Sequence, residues 1–382
     1  MLLSCFLRFG DIKLKIGVNN YRIKLKRDQQ YIMLKSTIDK ATGFEKRFEN
    51  IGTIVYDNST SASKAIAAEI ANLIKVKQSQ KQPCILGLAT GSSPKSLYAE
   101  LVRLHKEEGL SFKNVVSFNL DEYYPMEPDS VNSYVRFMQE QLFNHIDILP
   151  ENCHVPNGTL SKAAIRDYCD EYEAKIEALG GIDLQILGIG GNGHIGFNES
   201  GSLQNSKTRL VALDHITRVA ASGDFSGLEN TPRTAITLGV KKIMEAKRVI
   251  LMAWGERKAN IIKASVEDEV TSLVPASYLQ EHRNATFILD QAAGSKLTRI
   301  NTPWLVEKVV WTDQLIRKAV LSLALHLKKP ILMLTDDDYI ENGMSDLLAD
   351  SGPAYDINIK IFNKLQNTIT GWPGGKPNAD DS

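Results

Sequence analysis

Cysteine is scarce and poorly placed for metal or redox chemistry. The four residues, Cys5, Cys84, Cys153 and Cys169, form no C-x-x-C pair and no Cys/His group at zinc-ligand spacing. A disulfide scaffold or zinc site is therefore not expected, and structural thiols in a reducing compartment are. An excess of one charge is also missing, since Lys+Arg and Asp+Glu number 45 each. That balance gives nucleic acid nothing to be drawn to, and any anionic ligand must be held by a local site. Long apolar runs are absent. The opening MLLSCFLRFG is too short to span a bilayer and lacks the basic flank and cleavage site of a signal peptide, so no membrane partner and a cytoplasmic location are expected. There is no internal repeat and no low-complexity tract.

What remains is the composition of a well-packed protein, with 43% hydrophobic and 24% charged residues in a chain of 382. Residues 1–50, rich in Lys and Arg up to Arg27, read as an N-terminal extension, partly disordered. From there short apolar runs alternate with amphipathic stretches. Strands are expected at 53–56, 84–89, 115–120, 184–189, 249–254 and 286–289. Helices are expected at 61–75, 94–106, 132–144, 163–178 and 256–265. This alternation implies βαβ units: a doubly wound α/β domain over 51–300, its mainly parallel sheet covered by helices on both faces. Residues 301–382 read as a mostly helical extension. It has one long helix over 304–327 and an acidic run, Asp336–Asp338, that suits a helix start or a divalent cation. It closes on a linker rich in Gly, Pro and Asp.

Ligands in such folds sit at the carboxyl ends of the strands, and three segments directly follow predicted strands there. The first is Thr90-Gly91-Ser92-Ser93-Pro94. With Ser93 as cap and Pro94 at the first helical position, its free N–H groups and hydroxyls could cradle a phosphate, though an ordinary capped helix fits it too. The second is Asp121-Glu122, two carboxylates at a strand end, where a partly desolvated acid can serve as a general base and a solvated loop can equally lie. The third runs from Gly188 to Glu199. Its glycines admit close backbone approach, His194 can exchange protons near neutral pH, and Glu199 could orient the imidazole. A dinucleotide loop is the rival, but the run is not a clean G-x-G-x-x-G opening a helix. The other histidines sit in helices or polar loops without metal-ligand spacing.

Together the stretches LGLATGSSP, VVSFNLDEYY, ILGIGGNGHIGFNE, LDHITRVA, TPRTAITLGV and AWGERKA resemble the glucosamine-6-phosphate deaminase (isomerase) family over roughly residues 52–300. The resemblance implies conversion of glucosamine 6-phosphate and water to fructose 6-phosphate and ammonia, in amino-sugar catabolism, with no metal or organic cofactor. It implies Thr90, Gly91, Ser92, Ser93 and Lys258 at the phosphate. Asp121 would move the proton between C2 and C1, and His194 with Glu199 would open the pyranose ring. Glu122 and Tyr134 would line the site. The partner is then a phosphorylated amino sugar, and a homo-oligomer is compatible with the family. 6-Phosphogluconolactonases share the fold, and a catalytically silent sugar-phosphate sensor is a further alternative. The residues IGFNE and DEYY resemble the deaminases. Three departures stand out. Asn192 occupies a place where many members have Asp. Gly223 falls where a phosphate-binding Arg is common. Arg209 matches one effector-binding cation of members activated by N-acetylglucosamine 6-phosphate, but Val211 replaces the second. Residues 301–382 are similar to the segment that joins a deaminase domain to a deacetylase-like domain in some longer bacterial proteins.

Overall fold

The computed structural model describes residues 48–370. The expected terminal linker, 371–382, and nearly all of the expected N-terminal extension lie outside those residues. Phe48–Asn50 already belong to the fold: Glu49 is buried and ion-paired with Arg299, and the Asn50 N–H bonds the Val266 carbonyl.

Among the described residues, ten strands and thirteen α-helices follow one another. They are β1 (Thr53–Tyr56), α1 (Ser59–Ser79), β2 (Cys84–Leu88), α2 (Lys95–Glu108), β3 (Val115–Asn119), β4 (Asp121–Tyr124), α3 (Tyr134–Gln141), β5 (Cys153–His154), α4 (Ile165–Ala178), β6 (Leu184–Leu187), β7 (Arg209–Ala212), α5 (His215–Ala221), β8 (Thr234–Thr237), α6 (Val240–Met244), β9 (Val249–Ala253), α7 (Ala259–Glu267) and β10 (Ala285–Asp290). The helices α8 (Gln291–Gly294), α9 (Thr298–Asn301), α10 (Asp313–Leu327), α11 (Asp336–Glu341), α12 (Ser345–Ser351) and α13 (Ala354–Thr370) complete the described chain.

Seven strands form one sheet in the order β1-β10-β9-β6-β2-β3-β5, with every pair parallel. Every residue of β2, β3, β6 and β9 is buried, whichever face it points to. That is the signature of a sheet covered on both sides, and it explains why these segments read as unbroken apolar runs. The α1 and α2 helices pack on one another, and the Tyr172 ring of α4 meets Phe118 of β3 edge-on. From β2 the chain moves one way through β3 and β5. From β6 it moves the other way through β9 and β10. The loops after β2 and β6 therefore diverge and open a crevice at the carboxyl edge.

The sequence reading missed a second sheet, β4-β8-β7, antiparallel, with Asp121 opposite Thr237 and Thr237 opposite Arg209. Consequently β3 stops at Asn119, and Asp121 opens a new strand rather than a loop. The expected helix start at Ser93 is also corrected. The α2 helix begins at Lys95, after Pro94, and no side chain caps it.

A separate apolar cluster, from Trp304 to Ile361, forms the core of the helical extension. The expected helix over 304–327 is shorter, because Thr312 caps a helix that starts at Asp313. The acidic run makes a helix start: Thr335 and Asp338 form a capping box, and Asp336 accepts from the Ala354 N–H. No helix among the described residues is long and apolar enough to cross a membrane.

Candidate active site

The loop after β2 forms one wall of the crevice. The amides of Gly91, Ser92 and Ser93 donate to no described residue, which leaves three successive N–H groups free to meet a ligand. The loop is held from two sides. The Trp254 indole N–H donates to the Ser93 carbonyl at 2.9 Å, and the hydroxyls of Tyr134 and Thr90 are hydrogen-bonded. Lys258 sits in the turn after β9, which Asp290 fixes by accepting the Gly255 N–H. Its ammonium donates to the Ile189 carbonyl at 2.7 Å, and burial pushes its pKa below the usual lysine value. The phosphate-type loop, the glycine-rich loop and one cation are thus brought together. Arg218 points elsewhere, donating to the carbonyls of Leu228 and Thr231, and both Arg233 and Gly223 are exposed.

The two adjacent carboxylates have different surroundings. Glu122, 1% exposed, accepts from the amides of Tyr123 (2.9 Å), Tyr134 (2.8 Å) and Val135 (3.2 Å) and from the Ser133 hydroxyl (2.9 Å). Burial pushes its carboxyl up to about 7, against those four donors. Both oxygens are engaged, Oε1 by its neighbour Tyr123 on β4 and Oε2 by three donors at the start of α3, so Glu122 braces the wall of the site. Asp121, 6% exposed, accepts no hydrogen bond from any described side chain or loop amide, and burial followed by the charge of Glu122 pushes it up to about 8. Its Oδ2 lies 3.3 Å from the point where a Cβ would stand on Gly196. A side chain there would crowd the carboxylate, so glycine keeps the approach open.

Gly196 belongs to the loop that carries His194. A Cβ on Gly190 would fall 2.2 Å from the His194 ring, so the imidazole lies directly on that glycine. Nδ1 of His194 is 3.1 Å from Glu199 Oε2 and 3.3 Å from the Thr217 hydroxyl. Glu199 also accepts from the Asn192 amide at 2.8 Å and from the Asp214 N–H at 3.2 Å. Against its burial, His194 first and then Asn192 and Thr217 hold the Glu199 carboxyl down at about 2. Asn192 supplies no charge, but it orients the carboxylate and accepts from the His194 N–H. Tyr123, Tyr134, Phe197 and Phe225 pack as rings beside β4, and Tyr134 and Phe197 are nearly parallel at 6.2 Å.

Thr90–Ser93, Asp121, Tyr134, Asn192, His194, Glu199 and Lys258 therefore converge on one crevice. Sequence reasoning missed the contributions of Thr217, Asp214 and Trp254. The first two stand in LDHITRVA and the third in AWGERKA, stretches that carried the resemblance without an assigned role. A buried acid without a donor next to a His–Glu pair can abstract and return protons at carbon and at oxygen. No group of three His, Cys, Asp or Glu side chains able to hold a metal occurs among the described residues.

Comparison with known proteins gives the same neighbourhood. The family profile described as glucosamine-6-phosphate isomerases/6-phosphogluconolactonase matches residues 57–288. A Bacteroides thetaiotaomicron protein, provisionally named glucosamine-6-phosphate deaminase-like, is 52% identical over 343 residues, covering 89% of this chain and 52% of its own. The chain thus spans about half the length of that relative. Glucosamine-6-phosphate deaminase of Shewanella woodyi is 47% identical over 236 residues, 62% of this chain and 89% of its own. Among solved structures, a monomeric glucosamine-6-phosphate deaminase superposes with a TM-score of 0.62 at 36% identity, over 64% of this chain and all of its own. A Trypanosoma brucei 6-phosphogluconolactonase superposes with a TM-score of 0.53 at 22% identity, over 65% of this chain and 99% of its own, a likeness of fold.

Proposed function

Since the chain belongs to the glucosamine-6-phosphate isomerase/6-phosphogluconolactonase family, we propose, as a premise for its chemistry, that it is a glucosamine-6-phosphate deaminase. One observation carries the reading. A buried carboxylate without hydrogen-bond donors, Asp121, faces the loop that bears the His194–Glu199 pair.

In this reading the phosphate binds the amides of Gly91–Ser93 and the ammonium of Lys258, and supplies the remote binding energy that orients the sugar. His194 takes the proton of the anomeric hydroxyl and returns a proton to the ring oxygen, which opens the pyranose. Asp121 removes the C2 proton while the substrate's own ammonium gives a proton to O1, leaving an enolamine, and Asp121 then delivers its proton to C1. Water adds to the resulting C2 imine and ammonia leaves, so glucosamine 6-phosphate and water become fructose 6-phosphate and ammonia. His194 and Asp121 serve ring opening and the C2–C1 transfer, and no step calls on a metal or organic cofactor. Breakdown of amino sugars in the cytoplasm is the setting proposed for it.

The test is ammonia and fructose 6-phosphate release from glucosamine 6-phosphate by the full chain, with 6-phosphogluconolactone assayed in parallel. Ammonia release with lactone hydrolysis at the blank rate is expected. Lactone hydrolysis without ammonia would replace the reading with the lactonase. Tight sugar-phosphate binding without turnover would replace it with a sensor.

A further inference from the structure

The turn that ends β9 reaches both walls of the crevice. The Trp254 indole N–H donates to the Ser93 carbonyl at 2.9 Å, and the Lys258 ammonium donates to the Ile189 carbonyl at 2.7 Å. The backbone between those two side chains is closely tied. Gly255 takes a positive φ of 85°, which glycine adopts without strain. Its N–H donates to Asp290, and its carbonyl accepts from the Lys258 N–H at 3.0 Å. Asp290 is itself held by the Ala293 N–H at 2.7 Å.

We propose that Trp254 is a positioning residue for phosphate. It holds the amides of Gly91–Ser93 at a set distance from the Lys258 ammonium, and so governs affinity for the anion rather than turnover. The proposal rests on the phosphate site of the reading above.

The loop after β2 has little else to fix its backbone. From Thr90 to Ser93, the Ser93 carbonyl is the one backbone group with a hydrogen-bond partner among the described residues, and that partner is the indole. The helix that follows does not tie the loop either, since α2 begins at Lys95 without a side-chain cap. Tyr134 holds Thr90, but across Gly91, where φ is 89° and glycine leaves the backbone free to turn. Amides are partial dipoles and serve an anion only when they converge on one place. A loop that must be ordered during binding weakens that binding. The indole orders it beforehand. Because Trp254 and Lys258 share one turn, loop and cation keep their spacing. The indole makes no hydrogen bond to β4 or to the loop after β6, where Asp121, His194 and Glu199 stand, so the proton transfers are spared.

Two replacements test this. Trp254→Phe keeps an aromatic ring and loses the N–H. Benzothienylalanine at position 254 exchanges only the N–H for sulfur, and it serves if the smaller phenylalanine ring disturbs packing. Inorganic phosphate is the probe, titrated calorimetrically into the full chain. Wild type should bind it, and both variants should bind it about three- to tenfold more weakly, the worth of one hydrogen bond that orders a loop. In ammonia release, KM for glucosamine 6-phosphate should rise by the same factor, with kcat within about twofold of wild type. A benzothienylalanine protein with the wild-type phosphate affinity overturns the proposal, and so does a loss confined to kcat. A wild type that binds no phosphate overturns it as well. A wild type that binds phosphate but releases no ammonia refutes the deaminase reading alone, and the titrations still decide the role of Trp254.

Discussion

Asp121 and Glu122 are neighbours on one strand, yet Glu122 accepts four hydrogen bonds, three of them at the start of α3, and Asp121 accepts none from the described side chains and loop amides. The contrast makes Glu122 a support and leaves Asp121 free for the proton transfer proposed for it, and each half can be tested.

Asp121→Asn should lower turnover by the roughly 10²- to 10⁴-fold typical of a lost general base. Its stability should move the other way. An acid whose pKa rises on folding contributes stability at low pH that is lost as pH climbs from about 4 in the unfolded chain to about 8 in the folded one. The Asn variant escapes that loss. Its melting temperature should match wild type near pH 4 and exceed it at pH 8. A variant with near-normal turnover would remove Asp121 from the mechanism.

The same raised value predicts the pH dependence of the wild type. The base must be ionised in the free protein, so kcat/KM should rise about tenfold per pH unit until near pH 8. An acid limb near pH 4 instead would show that the burial of Asp121 does not persist in solution.

Glu122→Gln should behave as a structural lesion. A glutamine places an NH₂ group against donors that now meet one of the two oxygens. A cost of about 2–3 kcal/mol, that of a disrupted charged hydrogen-bond cluster, is expected from thermal unfolding. Hydrogen exchange should quicken at the amides of Tyr134 and Val135. Full stability with slowed chemistry would reverse the assignments of the two acids.

Lys258→Ala should raise KM by roughly 10- to 150-fold, the equivalent of about 1.5–3 kcal/mol for a charge-assisted bond to phosphate. Gly223 leaves no cation at the place where a phosphate-binding Arg is common, so Lys258 has no substitute there. Unphosphorylated glucosamine should be a poor substrate for both proteins. An unchanged KM would shift attention to Arg218 or Arg233.

Activation by N-acetylglucosamine 6-phosphate should be weak. Arg209 already donates to Asn198, Lys207 and Ser202, and Val211 offers no charge beside it. A sigmoidal rate curve made hyperbolic by that effector would contradict this.

The parallel strands and the segments after them were legible because apolar runs such as Cys84–Leu88 end in glycine, serine or acidic residues that have no reason to be there in a core. The second sheet was not. Its strands have four residues each, and Arg209–Ala212 and Thr234–Thr237 gain their register from pairing across the fold, which no local pattern encodes. The support role of Glu122 was hidden because its donors lie up to 13 residues on. Thr217 meets His194 across 23 residues and Trp254 meets Ser93 across 161, so neither contact leaves a mark on its own segment. The place expected for a cap at Ser93 failed for a related reason: the turn continues through Pro94, and its geometry is fixed by the distant indole.

In the seven-stranded sheet, β1 has a single neighbour among the described strands, and that neighbour is β10: Thr53 lies against Phe287 and Tyr56 against Asp290. During synthesis the first of the described strands to leave the ribosome therefore waits for the last of them. A nascent chain that stops short of residue 285 carries β1 with an unpaired edge, open to wrong pairing with other chains. Loop closure over so long a separation also slows refolding of the complete chain. Stalled synthesis and slow refolding thus meet at one strand edge, where a chaperone that shields extended segments would have most effect.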